Sequence, residues 1–200
     1  MTLNDFKDFV DEISSWEAPM ELQQKFPFYQ AGYDNDGRPV WVIEFGKYNF
    51  SEQLMKGPEG AANLEKYMYQ SAIRFFEESI LDHGKETENV LLGLAIIDDE
   101  GFSFSQLSHA PTVSFLGREF KTFACLTTVG LHKIIVINEG ISPKFIETYG
   151  PAFFGPLMEL VEVHGKRSKW EPALKKLIPE KYLPPWYGGS KDFKPVRVYG

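Results

Sequence analysis

Apolar positions along the chain recur with two different periods, and the places where the period changes mark the elements. Leu3, Phe6, Phe9, Val10 and Ile13 fall at helical spacing, which predicts a short amphipathic helix over residues 3–15. A second helical stretch runs from Met20 to Phe26 and stops before Pro27. Asp34-Asn35-Asp36-Gly37 is then a turn signal, and FYQAGY before it pairs with Val40–Phe45 (VWVIEF) after it as a predicted hairpin. Residues 60–82 form the clearest helix: Leu64, Met68, Ala72, Phe75, Ser79 and Leu81 track one face, and His83-Gly84 closes it. Val90–Ile97 (VLLGLAII) and Ile134–Ile137 (IIVI) are nearly unbroken apolar runs, the pattern of strands buried on both faces. Between them Thr112–Leu126 reads as a helix, with Leu116, Phe120 and Phe123 at helical spacing. Pro143–Phe154 follows, then a strand over Leu157–Val163 and a helix over Trp170–Ile178.

Strands that alternate with helices imply crossover units, so the fold class is α/β, with a largely parallel sheet covered by helices on both sides. The 200 residues suit one domain, and there is no internal repeat and no linker long enough to divide two.

Composition sharpens this picture in two ways. Seventeen Phe, nine Tyr and four Trp supply either an aromatic core or the lining of an apolar pocket. A formal charge of −7 argues against general nucleic-acid binding, and Lys166, Arg167 and Lys169 form the densest basic cluster, read as a solvated loop. The single cysteine, Cys125, sits among Phe123, Ala124 and Leu126 and reads as a buried, inert thiol. His83, His109, His132 and His164 show no metal-ligand spacing, and no metal is expected. G-x-S-x-G, P-loop and G-x-G-x-x-G patterns are absent, so no catalytic residue is expected either. Asp98 and Asp99 end a buried strand, where α/β enzymes often carry functional groups. The polar, acidic start MTLNDFKDFV lacks the features of a signal peptide, and the expected setting is cytoplasmic.

Several short motifs resemble those of one family. Gly32-Tyr33-Asp34 with Asp36-Gly37-Arg38-Pro39-Val40 is similar to the GxDxxGRPV opening of CRAL-TRIO, or Sec14-like, domains. Ile97-Asp98 with Gly101 and Ser103 resembles their xxDxxGxS strand end, and Lys133-Ile-Ile-Val-Ile-Asn138 their KxxxIN strand. Val163-His164-Gly165 matches a later strand end, and Leu183-Pro184 with Tyr187-Gly188-Gly189 resembles the closing LPxxYGG. The resemblance implies a mixed, mainly parallel sheet covered by helices, enclosing a cavity for one lipid that a mobile gate helix closes. It divides the chain into a helical N-terminal remnant (1–30), the lipid-binding domain (31–189) and a C-terminal tail (190–200). The phosphatidylinositol-transfer members carry a YPE triplet and a later lysine; here those positions are Thr127-Thr128-Val129 and Leu160, which speaks against a phosphatidylinositol headgroup site.

The expected function is therefore binding, and intracellular transfer or sensing, of a small hydrophobic ligand; a ligand-free scaffold for a protein partner is the alternative. The bound lipid is the only cofactor-like group expected, and transient contact with a membrane surface is the expected setting for exchange. Ser142–Met158 carries the gate, interrupted by Gly150-Pro151 and Gly155-Pro156, with Ile141, Phe145, Ile146, Tyr149, Phe153 and Phe154 over the ligand. Side chains alternate across a strand, so Ile135 and Ile137 share a face, assigned here to the cavity floor. Phe104, Leu116, Phe120 and Phe123 are assigned to its wall.

Overall fold

The computed structural model describes residues 3–77, 92–138, 150 and 155–199. Its centre is a six-stranded sheet: β1 (Phe28–Tyr33), β2 (Pro39–Ile43), β3 (Gly93–Asp98), β4 (Leu131–Ile137), β5 (Val161–His164) and β6 (Arg197–Tyr199), ordered β5-β4-β3-β2-β1-β6. Strands β2 to β5 are parallel, and β1 pairs antiparallel with both β2 and β6. The helices are α1 (Leu3–Ser15), α2 (Met20–Lys25), α3 (Phe50–Leu54), α4 (Pro58–Phe76), α5 (Ala110–Gly130) and α6 (Arg167–Leu177).

The hairpin turn shows why the motif around Asp34 takes its form. Asp34 Oδ1 accepts from the backbone N–H groups of Asp36 (2.9 Å) and Arg38 (2.8 Å), and the Arg38 guanidinium returns to Asp34 Oδ2 at 3.2 Å. Pro39, which has no N–H to give, opens β2. Gly32 sits at a register shift in β1, and a Cβ there would lie 2.1 Å from the Tyr182 ring.

Topology decides which face each helix covers. From β2 to β5 each parallel strand lies beside its predecessor, always in the same direction across the sheet. Right-handed crossovers then put the described connecting segments on one face. Accordingly Phe75 of α4 packs on Trp41 (5.3 Å between rings), and Leu157 packs with Ala95, Ile134 and Val136. The opposite face carries Val40, Val42, Leu94, Ile96, Ile135 and Ile137, sealed by Trp170 and Leu174 of α6 and by Ile178, Leu183 and Tyr187 beyond it.

Some boundaries differ from the sequence reading. The strand expected over 157–163 begins only at Val161, because Gly155–Leu160 winds into a 3₁₀ turn. Lys166, Arg167 and Lys169 belong to the N-cap and first turn of α6, not to a loop. The tail at 190–200 returns to the sheet as β6. Near the start of the described chain, Leu22 and Phe26 are buried with Leu64, Tyr67 and Phe115, and Gln70 Nε2 donates to the Ile13 and Trp16 carbonyls. The last part of the helix expected over 60–82, its His83-Gly84 stop and the start of the run at Val90 lie outside the described residues.

Candidate functional site

Two features of the sheet define the candidate site: an apolar face under the crossovers, and a hydrogen-bonded rim at the carboxyl ends of β3 and β4. The apolar face presents Trp41, Ala95, Ile134 and Val136, with half-buried Ile97, Val161, Val163, Met158 and Leu160 around them. Period-two alternation puts Ile135 and Ile137 together as expected, and the face they share is the one under α6. Both are fully buried in the core under α6. Ile134 and Val136 are the β4 side chains that face the crossovers. The signal for this was present in the order of strands and helices, since consecutive right-handed crossovers share a face.

The proposed wall residues are dispersed. Leu116 is buried in a separate cluster with Leu22, Phe26, Tyr48, Phe50 and Leu64. Phe120 lies against that cluster, 6.4 Å from the Phe45 ring, and Phe123 lies 5.2 Å from the Tyr69 ring on α4. Phe104 is 51% exposed, its ring edge-on to Phe102, and so stands at the rim. Ile141, Phe145, Ile146, Tyr149, Phe153 and Phe154 lie outside the described residues, as does the Cys125 side chain. Leu160 packs with the apolar face.

The rim joins three sequence motifs through side chains. Asp98 Oδ1 accepts from Asn138 Nδ2 (2.7 Å) and from the Glu100 backbone N–H (2.9 Å), while Asp98 Oδ2 accepts from the Tyr187 hydroxyl (2.6 Å). Trp170 Nε1 donates to Asn138 Oδ1 at 2.9 Å. Asn138 has φ +64°, a left-handed conformation that asparagine tolerates better than most residues. Burial and the neighbouring Asp98 carboxylate push the Tyr187 hydroxyl well above its usual range. The same two causes, burial first, raise the Asp99 carboxyl to about 7. Gln106 closes the rim on its other side: its Oε1 accepts from Phe50 N–H and its Nε2 donates to the Tyr48 carbonyl.

Asp98 is thus part of a structural junction that joins the end of β3 to Asn138 and Tyr187. Among the described residues no group of three or more His, Cys, Asp or Glu could hold a metal ion. His109 bonds to Thr112 and His164 to Glu162. Among the described residues no helix is long and apolar enough to cross a membrane.

Comparison with known proteins gives a consistent picture. Residues 23–189 match the model of the CRAL/TRIO domain. The phosphatidylinositol/phosphatidylcholine transfer protein SFH4 of Arabidopsis thaliana is 22% identical over 186 residues, which cover 89% of this chain and 29% of that protein. The chain therefore spans less than a third of that relative. Among solved structures, the crystal structure of Sfh5 superposes with a TM-score of 0.64 at 16% identity, covering 94% of this chain and 64% of that one. At that identity the likeness is one of fold.

Proposed function

Because the chain belongs to the CRAL/TRIO domain family, we propose that it binds one lipid-like molecule on the α4/α5 side of its sheet and passes it between membranes. The observation that carries this reading is the asymmetry of the sheet. One face is sealed by α6 into a continuous core, whereas on the other Trp41, Ala95, Ile134 and Val136 form a smaller apolar cluster beneath Phe75 and Leu157, ringed by half-buried Ile97, Val161 and Val163. A surface of this kind suits a ligand held by burial of its own apolar area. The name of the plant relative, a phosphatidylinositol/phosphatidylcholine transfer protein, supports a lipid as the ligand class.

Ile134 and Val136 form the floor in this reading, and Phe145, Ile146, Tyr149, Phe153 and Phe154 supply the cover. The headgroup is not inositol phosphate, because Val129 and Leu160 offer no charge to replace its lost hydration. The test is organic extraction of the purified protein followed by mass spectrometry. One apolar molecule per chain is the expected result. An empty protein would move the reading to the protein-binding scaffold. In a vesicle assay, transfer of phosphatidylinositol should be weak and indifferent to its headgroup; tight, headgroup-dependent transfer would contradict the assignment of Val129 and Leu160. Phe153→Asp with Phe154→Asp should slow transfer while lowering the melting temperature only slightly, and a normal transfer rate would remove these two from the cover.

A further inference from the structure

The charge of the chain is strongly polarised. Residues 165–200 contain nine Lys or Arg against three Asp or Glu, a net charge of +6, whereas residues 1–164 carry twelve against twenty-five, a net charge of −13. Within this segment α6 and the turns after it pack on the sheet face opposite α4, whereas β6 extends the sheet edge and its Tyr199 stacks beside Trp41.

The outer side of α6 concentrates this charge. Lys166, Arg167, Lys169, Lys175 and Lys176 are all exposed. Glu171 accepts from Arg167 Nε (2.7 Å) and Lys175 Nζ (2.8 Å), which neutralises one of the two. Lys166, Lys169 and Lys176 enter no ion pair among the described residues. Trp186, 52% exposed, lies in the turns after α6. Ring contacts connect the two: the Arg167 guanidinium lies 5.3 Å over Trp170, Trp170 is 5.9 Å from Tyr187, and Tyr187 is 6.1 Å from Trp186. The turn after Trp186 abuts α6 directly, for a Cβ on Gly188 would meet the Glu171 side chain at 2.4 Å. This surface borders the rim, because Trp170 and Tyr187 are the residues that bond to Asn138 and Asp98.

We propose that this basic surface, Lys166, Lys169 and Lys176 with Trp186 at its edge, docks the protein on an anionic bilayer. Three observations choose a bilayer over an acidic protein. The unpaired charges are all lysines, strongly hydrated point charges on flexible stems, which suit a diffuse layer of headgroups better than the fixed carboxylates that arginine forks grip. Half-exposed Trp186, linked through Tyr187 and Trp170 to the start of α6, has the amphipathic ring that settles at a membrane interface. The surface adjoins the rim at which the strands end, so docking there keeps that rim at the membrane. The proposal rests on charge and exposure and does not require an occupied cavity, although it gives the proposed transfer function a membrane contact.

The test is co-sedimentation of the whole protein with phosphatidylcholine vesicles and with vesicles in which part of the phosphatidylcholine is replaced by phosphatidylserine. A basic side chain near an anionic surface contributes roughly fivefold in affinity, so binding should appear with phosphatidylserine and fall steeply with added salt. Lys166→Glu with Lys169→Glu and Lys176→Glu should lower it by more than about tenfold, and the three corresponding Lys→Arg changes should keep it. Trp186→Ala should weaken binding several-fold and leave its salt dependence unchanged. All these positions are exposed, and unchanged melting temperatures would confirm that the variants fold. Equal binding to both vesicle types, or undiminished binding by the charge-reversed variant, would overturn the proposal. So would indifference to vesicles combined with salt-sensitive self-association lost on charge reversal, which would assign the surface to a second copy of the chain. Lipid extraction of the same samples separates the two ideas: a protein that docks but yields no lipid retains this surface and loses the carrier reading.

Discussion

Asp98 receives three hydrogen bonds from three separate stretches of chain, and the two most consequential residue-level predictions lie on either side of it. Asn138 both donates to Asp98 and accepts from Trp170 while holding a left-handed backbone. Asn138→Ala removes both bonds, orphans the Trp170 N–H and forces alanine into a conformation that costs about 1–2 kcal/mol. The expected loss is about 3 kcal/mol, or roughly 8 °C in melting temperature. Asn138→Gly relieves only the backbone part and should fall between that variant and the parent. Asp99 gives a pH signature. Its carboxyl is raised from 3.8 to about 7, first by burial and then by Asp98. Below about pH 4 it is protonated in both states and contributes nothing. As pH rises, the unfolded chain ionises there and the fold does not, so stability is lost until pH passes about 7 and is level beyond. At full extent that loss is on the order of 4 kcal/mol. Asp99→Asn should therefore melt close to the parent at pH 4 and several degrees above it at pH 8; a difference that does not change with pH would contradict the buried, neutral carboxyl. The sequence marked Asp98, Asn138 and Tyr187 as motif residues, but only the fold brings them together. Trp170 carried no signal beyond an apolar place in a helix.

At the scale of elements, apolar periodicity located the hairpin, the strands β3 and β4 and the helices α1, α2, α4, α5 and α6. It was less successful with boundaries set by tertiary packing. Leu157, Met158 and Leu160 read as a strand because they are apolar, yet they lie in a 3₁₀ turn whose side chains pad the sheet. Alternation shows which residues of β4 share a side, and only topology shows which side faces the crossovers. The roles of the two sides can be told apart by measurement. Ile135→Ala removes methyl groups from the sealed core and should cost about 2–5 kcal/mol with little effect on ligand content per folded chain. Val136→Trp adds bulk on the opposite, crossover-facing side and should reduce ligand content more than it reduces stability. The reverse pattern would return the floor to Ile135 and Ile137.

For the whole molecule, one fold separates three tasks: a sealed core beneath α6, an apolar face beneath the crossovers, and a basic outer surface that borders the rim. Fold class and family were legible because motif order and spacing survive even where identity to a relative is 22%. Apolar character alone did not place Leu116, Phe120 and Phe123: the first two pack with a neighbouring cluster and Phe123 meets the Tyr69 ring. The polarity of charge was present in the sequence, but its meaning needed the placement of α6 and the turns after it on the face opposite α4. The central claim is that the crossover face holds one apolar molecule, and native mass spectrometry of the purified protein beside Val136→Trp tests it most directly. The account predicts a single lipid-sized mass increment on the parent that organic solvent removes, and a folded variant that lacks it. A parent at its bare sequence mass, or a variant that retains the full increment, would contradict it.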